Sequence, residues 1–394
     1  MEDLKKIKTR IDWFCENKIN AFSPTISPAP KSKERNEIES IEEAVKYYIN
    51  KGITNLVVQK KYMGSYCDIY LHKNIEDTYF VSRNGHKIDH INLDEAKAAC
   101  LDIHRKFDWS NLSIVIIQSE LMPWNTLGKN LISNEFEGYL NAHQNHFNYL
   151  QHSNLYNKID AVKSSENYLE YLEYKKQHSA KEVKKKYAAH IVRQYDALDD
   201  FKILILEKYA NGIEIYAKQI AHFGKEEKLH FKPFNILKKI FDDGTEEIPN
   251  DNLSYQLVNN DKFLLLKLDD ENIIKNEIER VYTWFETLTG NMEEGIVIKP
   301  EKAFIQNIPP AFKVRNNHYL TMIYGVHFLE ELNINIGKRK IGKKLDCSIY
   351  DWMINWSMLK VKYNTIHKEN YLLKNLVLDR ILGEYEENKL DTRL

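Results

Sequence analysis

The chain has few cysteines and no long apolar run. Its four cysteines, Cys15, Cys67, Cys100 and Cys347, are far apart, and no CxxC pair occurs. This spacing argues against a structural zinc site and fits a reducing compartment. No apolar stretch reaches the roughly 18 residues that a membrane helix needs. The first residues, Met-Glu-Asp-Leu-Lys-Lys, contain no signal-peptide core, so we expect a soluble, cytoplasmic protein.

An excess of charge of one sign is also lacking. There are 56 basic and 57 acidic residues, and the net charge is −1 at pH 7. This balance predicts no global attraction to nucleic acid, so any polyanion must be bound by local clusters. Two basic stretches occur, at 181–186 and 338–344. The first is most simply a solvated helix face, with RNA contact as the alternative. The second could contact RNA, a partner protein, or neither.

Proline is absent between Pro123 and Pro233. Residues 127–198 are rich in Leu, Tyr, Asn, Glu and Lys, which favours a helical insertion. We predict strands at 201–209 and 212–220, joined by a hairpin turn at Asn211-Gly212. Three prolines within 22–35 indicate an ordered loop or linker instead of a helix or strand.

The length of 394 residues fits two or three modules. Residues 1–52 are expected to form an N-terminal helical module. The core is expected over 53–125 and 201–318, with the helical insertion over 126–200. A C-terminal helical module is expected over 319–394.

The stretch around Lys61 organises the rest of the chain. Val57 and Val58 are strand formers, and they lead to Lys61 at a strand end. Gly64 follows three residues later and permits a tight turn where the backbone can pass close to a ligand. A lysine held in this way can be a covalent nucleophile if its surroundings favour loss of its proton. Taken alone, a KxxG pattern also occurs by chance.

Four further units follow in order along the chain. A strand-end glutamate commonly faces solvent, and alternating cations commonly mark the exposed face of a strand, so each unit also has an ordinary structural explanation. The units are Arg83 before the Asn84-Gly85 turn, Glu120 at the end of a buried strand, Glu294-Gly295 opening a strand, and Lys313-x-Arg315.

Together these units provide the groups that nucleotidyl transfer requires. The lysine is an amine nucleophile, and the cations can neutralise a triphosphate and the pyrophosphate that leaves. The acids can hold a divalent metal and ribose hydroxyls, and apolar strands can enclose a base. Because phosphoryl transfer depends mainly on positioning and charge stabilisation, a cleft with this lining is sufficient in principle.

The order and spacing resemble the covalent nucleotidyltransferase superfamily of ATP-dependent polynucleotide ligases and RNA capping enzymes. The likeness is strongest to the ligase domain of bacterial polynucleotide kinase–phosphatase, and it covers nearly the whole chain. It implies an α+β fold: a nucleotidyltransferase (ATP-grasp-like ligase) core of antiparallel sheets around an ATP cleft, with a helical insertion and a helical C-terminal module. The matching blocks are Pro24-Thr25-Ile26-Ser27-Pro28, KYMGS at 61–65, Glu120-Leu121-Met122-Pro123-Trp124, EGIVIKP at 294–300, FKVRNNHYLTMIYG at 312–325 and Asp391-Thr392-Arg393-Leu394.

The resemblance implies roles for the charged residues. Lys61 would form the lysyl-N–AMP phosphoramidate. Arg83 would contact phosphate or the end of the nucleic acid, and Glu120 would hold the ribose hydroxyls. Lys313 and Arg315 would grip the AMP phosphate and help to expel pyrophosphate.

The resemblance also implies a metal and a base pocket. Glu294 would help to bind Mg²⁺ or Mn²⁺, directly or through water, with Glu120 as a second candidate ligand. Phe234 would pack on adenine, with Ile296 on the other side of the ring. Lys299 would lie near the phosphate. The implied cofactors are ATP and one of these two metal ions.

Two departures from the family pattern accompany these matches. Many relatives carry an arginine two residues after the motif glycine, where this chain has Tyr66, which can make one hydrogen bond but cannot offer a charged fork. There is also no GxxxxGK[ST] loop, so the kinase part of the repair enzyme is missing.

The expected function is ATP-dependent RNA ligation, with RNA carrying a 5′-phosphate and a 3′-hydroxyl as substrate. The resemblance implies an RNA 3′-end methyltransferase as partner and separate kinase and phosphatase enzymes for end healing. Two other functions stay open: a GTP-dependent, capping-type guanylyltransferase, and a non-catalytic protein that binds RNA ends.

Overall fold

A computed structural model describes residues 2–126, 132–201, 204–225 and 227–384. The Asp391–Leu394 block lies outside the described residues. The strands, in chain order, are β1 Ser27–Pro28, β2 Asn55–Lys61, β3 Ser65–His72, β4 Tyr79–Ser82, β5 Leu112–Met122, β6 His230–Phe241, β7 Glu246–Glu247, β8 Phe263–Lys267, β9 Gly295–Pro300 and β10 Phe312–Arg315.

The helices supply most of the remaining ordered chain. In order, they are α1 Glu2–Glu16, α2 Ile41–Ile49, α3 Leu93–Ala99, α4 Leu101–His104, α5 Glu137–His152, α6 Leu155–Lys163, α7 Glu166–Gln177, α8 Ala180–Lys186, α9 Ala189–Asp200, α10 Leu206–Phe223, α11 Glu271–Gly290, α12 Asn317–Tyr324, α13 Leu332–Lys338, α14 Gly342–Leu359 and α15 Tyr371–Gly383. No helix within the described ranges is long and apolar enough to cross a membrane.

In the described part of the chain, the strands form two sheets of five. The Lys61 sheet has the order β1-β10-β9-β2-β8, and the Glu120 sheet has the order β4-β3-β5-β6-β7. All their pairings are antiparallel except β1 with β10. The α+β fold predicted from the sequence, with antiparallel sheets and many helices, is confirmed.

Alternation along β2 assigns the two faces of the Lys61 sheet. Leu56 and Val58 are fully buried against α2 and α11, in a core with Ile296 and Ile298 of β9. Side chains two residues apart share a face of a strand, so Lys61 projects from the opposite face. The buried helix-packed face thus orients the lysine toward the other side of the sheet.

The Glu120 sheet is covered on both faces. Ile69 and Ile117 pack under α3 and α4. Tyr70 and Ile116 pack on the other face against α1, α14 and α15. Further along the same pair of strands, β3 and β5, Tyr66 lies opposite Glu120, beyond the apolar residues of this core. The polar residues at this end of the sheet are therefore not covered by that core and can contribute to the candidate active site.

The proline-poor segment is helical, as predicted, within the described part of 126–200: it contains α5 to α9. The two strands predicted at 201–209 and 212–220 are wrong, because α10 covers 206–223. Gly212 is not a turn residue. A Cβ at Gly212 would lie 2.0 Å from the Val326 carbonyl oxygen, so glycine allows the segment after α12 to approach α10 closely.

The proline-rich stretch at 22–35 also contains a short strand that was not predicted. Ser27 and Pro28 form β1, which pairs in parallel with Phe312 and Lys313 of β10. The Ala29 N–H adds a hydrogen bond to the Lys313 carbonyl at 2.9 Å. The segment before α2 is thus joined directly to the strand that carries Lys313.

Candidate active site

Lys61 is the last residue of β2, and its ammonium group contacts a buried carboxylate. Its Nζ lies 2.8 Å from Oε1 of Glu294, whose side chain is only 3% exposed. Glu294 immediately precedes β9, and Gly295 is the residue opposite Lys61 in the antiparallel ladder. Strand pairing therefore brings the predicted nucleophile and the predicted metal-binding acid together.

Gly64 lies where the chain turns from β2 to β3. Its N–H donates to Oε1 of Glu120 at 3.2 Å. A Cβ at Gly64 would lie 2.5 Å from Met122 Sδ and 2.6 Å from both Glu120 Cγ and the Leu121 carbonyl oxygen. Glycine is therefore required by close packing at the seam between the two sheets.

Glu120 is a half-buried acid on the second sheet, and it interacts electrostatically with Lys61 and Glu294. Removal from water raises the pKa of Glu120 to about 7. The positive charge of Lys61 opposes that rise, and the negative charge of Glu294 adds to it. A carboxyl that titrates near neutral pH can hold or release a proton at the site.

Lys313 and Arg315 share the Lys61 face of the first sheet. Arg315 lies opposite Gly295, which is itself opposite Lys61, and Lys313 lies opposite Val297 in the next row. Burial lowers the pKa of Lys313 well below its usual value, and the charges of Arg315 and Lys61 lower it further. The alternation predicted from the sequence thus brings three cations into two adjacent rows.

Arg315 is held by an acid that the sequence analysis missed. Its Nη2 lies 2.5 Å from Oε1 of Glu39, and its backbone N–H donates to Oε2 of the same carboxylate at 2.9 Å. Arg339, in the predicted C-terminal module, donates from Nη2 to the same Oε1 at 2.7 Å. No motif marks Glu39 in the sequence, and Arg339 is only one of several cations in the basic stretch 338–344. Neither residue is close to Arg315 in the sequence, so only tertiary folding brings them together.

Phe234 is presented by a bulge in β6. Gln118 pairs with Asn235 and Ser119 pairs with Pro233, so Phe234 is the extra residue between them. Bulges of this kind re-aim side chains next to active sites. The Phe234 ring lies 6.1 Å from the ring of Tyr66, measured between centroids. This position is compatible with the predicted packing on a base.

Lys299 lies on the same sheet face as Lys61, but its ammonium group contacts the bulge. Its Nζ donates to the Phe234 carbonyl at 2.9 Å, and burial lowers its pKa to about 7. The predicted place of Lys299 near the phosphate stays a prediction. The ammonium group connects the two sheets behind the predicted base site.

Ile296 does not lie on the face where the sequence analysis put it. Its side chain is fully buried in the core beneath α2 and α11. The alternation of β9 places Gly295, Val297 and Lys299 on the Lys61 face instead. Of the two neighbours, Val297 is the one that can face a nucleotide, so the packing role expected of Ile296 is corrected.

Arg83 follows β4 and is exposed. Burial raises the pKa of Glu120, and the positive charge of Arg83 slightly opposes that rise, so Arg83 lies close enough to act on this carboxyl electrostatically. This placement is compatible with a contact to phosphate or to a nucleic acid end.

The two acids also allow a test of the predicted metal site. Among the described residues, no group of three or more His, Cys, Asp and Glu side chains is arranged to hold a metal ion. Magnesium bound to nucleotides takes only one or two carboxylates and fills its coordination with phosphate oxygens and water. Glu294 and Glu120 beside Lys61 fit that mode of binding.

Two largely antiparallel sheets meet beside Lys61, which is the residue predicted to be the nucleophile. Residues 16–365 match the family described as "PNKP adenylyltransferase domain, ligase domain". The chain belongs to this family, and the protein is an ATP-dependent polynucleotide ligase with adenylyltransferase chemistry. The resemblance inferred from the sequence blocks is confirmed.

Solved structures show the same relationship. One chain from a "Structure of Pnkp1/Rnl/Hen1 complex" is 51% identical, with a TM-score of 0.93 and 99% coverage of both chains. Another, from a "Structure of the Pnkp1/Rnl/Hen1 RNA repair complex", is 52% identical, with a TM-score of 0.91 and the same coverage. No curated protein matches this chain.

Proposed function

We propose that the protein is an RNA repair ligase that carries AMP on Lys61. The observation that carries this proposal is the contact of Lys61 with Glu294 at 2.8 Å, at the seam where both sheets supply charged groups. Membership of an adenylyltransferase ligase family supports the chemistry. The RNA repair complexes that contain similar chains support RNA as the substrate.

In the first step, the Lys61 amine attacks the α-phosphorus of ATP. A nitrogen–phosphorus bond forms, the bond to the bridging oxygen breaks, and pyrophosphate leaves. The amine must lose its proton before it attacks, and its contact with the Glu294 carboxylate at 2.8 Å holds the lysine in position. Lys313 and Arg315, on the same sheet face, are the groups that stabilise the developing phosphate charge.

A divalent metal held by Glu294, with Glu120 nearby, would act as a Lewis acid and offset phosphate charge. Phe234 and Val297 would hold the adenine. An oxygen of the RNA 5′-phosphate then attacks the AMP phosphorus, the phosphorus–nitrogen bond breaks, and the Lys61 amine leaves. In the last step, the RNA 3′-hydroxyl attacks that phosphate, the strand is sealed, and AMP leaves.

The complexes named by the similar structures also bear on partners. The similar solved chains come from complexes of Pnkp1, Rnl and Hen1. We propose that this protein likewise works with an RNA 3′-end methyltransferase and with a kinase–phosphatase that prepares the ends.

The proposal is tested by labelling the protein with α-labelled ATP and magnesium or manganese, followed by denaturing electrophoresis. Wild type should retain one label per molecule, and Lys61→Ala should retain none. The matched control is Lys60→Ala, because Lys60 is the neighbouring lysine and pairs with Glu293 at 2.5 Å, on the other face of the strand. Lys60→Ala should be labelled.

Labelled GTP is run in parallel. Labelling from GTP alone would favour the guanylyltransferase alternative. If folded protein takes label from neither ATP nor GTP, the proposed chemistry is wrong and a non-catalytic RNA-end binding protein is favoured. Sealing of a nicked RNA by the labelled wild type would then test the later steps.

A further inference from the structure

The Glu39 carboxylate accepts hydrogen bonds from two arginines, Arg315 and Arg339. Its side chain is 0% exposed. From Arg315 it accepts the backbone N–H at 2.9 Å, Nε at 3.2 Å and Nη2 at 2.5 Å. From Arg339 it accepts Nη2 at 2.7 Å. Both carboxylate oxygens therefore accept hydrogen bonds from protein groups.

Three separate parts of the chain meet at this carboxylate. Glu39 directly precedes Ser40, the N-cap of α2. Arg315 ends β10 and shares a row with Gly295 and Lys61. Arg339 is the C-cap of α13, which lies beyond the two sheets in sequence. The position of the Arg315 guanidinium is therefore set by a residue outside its own sheet.

The charges show why this carboxylate matters to an anionic substrate. Two guanidinium groups on one carboxylate leave one positive charge in excess, and Lys313 lies close enough to lower the pKa of Glu39. Without the carboxylate, the two guanidinium groups would repel each other and the fixed fork of Arg315 would lose its partner. Removing one member of a buried charged pair leaves the other uncompensated.

We propose that Glu39 is a positioning residue for adenylyl transfer, an inference that rests on the function proposed above. It fixes the guanidinium of Arg315, which shares a row of the sheet with Gly295 and Lys61, and it brings Arg339 into the same cluster. The site then has its full positive charge only when the segment carrying Arg339 is docked against the sheet. Glu39 itself does not touch the reacting atoms.

The test measures single-turnover adenylylation of the full chain with labelled ATP at saturating concentration. Each molecule accepts one AMP, so the amplitude reports the folded, active fraction and the rate reports how well the site is arranged. Glu39→Gln keeps the shape of the side chain and removes its charge. We expect its rate to fall about 10-fold or more, with the amplitude unchanged.

Two further variants complete the design. Glu37→Gln is the matched control, because Glu37 lies two residues away and accepts a hydrogen bond from Tyr282 at 2.8 Å, away from the site; its rate should equal that of wild type. Arg339→Met keeps the Glu39–Arg315 pair and tests the cluster if Glu39→Gln does not fold. It should lower the rate about 3-fold or more, and adding it to Glu39→Gln should lower the rate no further.

The outcomes separate the two proposals. If wild type takes no label, the proposed function fails. If wild type is labelled but Glu39→Gln has the same rate, or loses amplitude at an unchanged rate, Glu39 contributes only to folding and this inference is overturned. An unchanged adenylylation rate in Arg339→Met would likewise show that Arg339 does not help to position Arg315.

Discussion

The Tyr66 hydroxyl donates a hydrogen bond to Oδ1 of Asp68 at 2.7 Å. The same hydroxyl accepts from Gln118 at 2.8 Å, and Gln118 in turn accepts from Asn235 at 3.1 Å. A tyrosine hydroxyl has one proton to donate, and this one is used inside the protein. Tyr66, which stands where many relatives have arginine, therefore presents its ring toward Phe234 and not its hydroxyl to a ligand.

The first prediction concerns Asp68, which is fully buried. Burial raises its pKa to about 7, whereas in the unfolded chain an aspartate titrates near pH 3.9. Between about pH 4 and pH 7 the folded protein holds a proton that the unfolded chain has lost. The free energy of unfolding should therefore fall as the pH rises through this range, by about 1.4 kcal/mol per unit at most from this group.

Urea unfolding of wild type and Asp68→Asn at several pH values from 5 to 8 checks this prediction. The asparagine cannot titrate, so its stability should fall less steeply as the pH rises toward 7, and the two slopes should converge above pH 7. Parallel curves across the whole range would contradict a raised pKa at Asp68.

The second prediction concerns the turn after Lys61. Gly64→Ala places a methyl group against Met122, Glu120 and the Leu121 carbonyl, at distances of 2.5 to 2.6 Å. The turn must move, and the adenylylation rate should fall about 100-fold or more, because displacements of about 1 Å in an active site have effects of this size. Gly138→Ala is the control, because nothing lies within 4 Å of a Cβ there. Equal rates for the two variants would show that the close packing at Gly64 does not matter.

The third prediction uses two neighbours on opposite faces of β9. Val297→Ala should raise the KM for ATP several-fold with little change in stability. Ile296→Ala should lower the free energy of unfolding by about 2–5 kcal/mol, because it opens a cavity in the core, with little change in KM. Single-turnover kinetics and urea unfolding on both variants measure the two effects. The reverse pattern would restore the role first expected of Ile296.

The fourth prediction separates two roles for Lys299. Lys299→Met removes the ammonium group that binds the Phe234 carbonyl and keeps the apolar stem. Because the bulge at Phe234 would lose this hydrogen bond, ATP should bind more weakly. Inhibition by inorganic tripolyphosphate, which has no base, should be unchanged. If tripolyphosphate also binds more weakly, Lys299 contacts phosphate, as the family resemblance first suggested.

Much of this site follows from alternation along strands. The spacing of Lys313 and Arg315 places both on one face, and the same rule applied to Lys299 would have selected Val297 over Ile296. The position of Glu39 could not be predicted, because its partners are brought to it only by tertiary folding. The helix α10 was mistaken for strands because Asn-Gly is a strong turn signal. In this fold, Gly212 instead allows α10 to pack closely against the backbone at Val326.

The short strand β1 has a consequence for the solubility of the protein. It forms one edge of the Lys61 sheet, and an open edge strand is a template on which other chains can aggregate. β1 spans only two residues, and Pro28 has no N–H to offer a further strand. A proline-containing segment therefore protects the edge next to β10, which carries Lys313 and Arg315. A truncation that removed this segment would expose β10 to self-association.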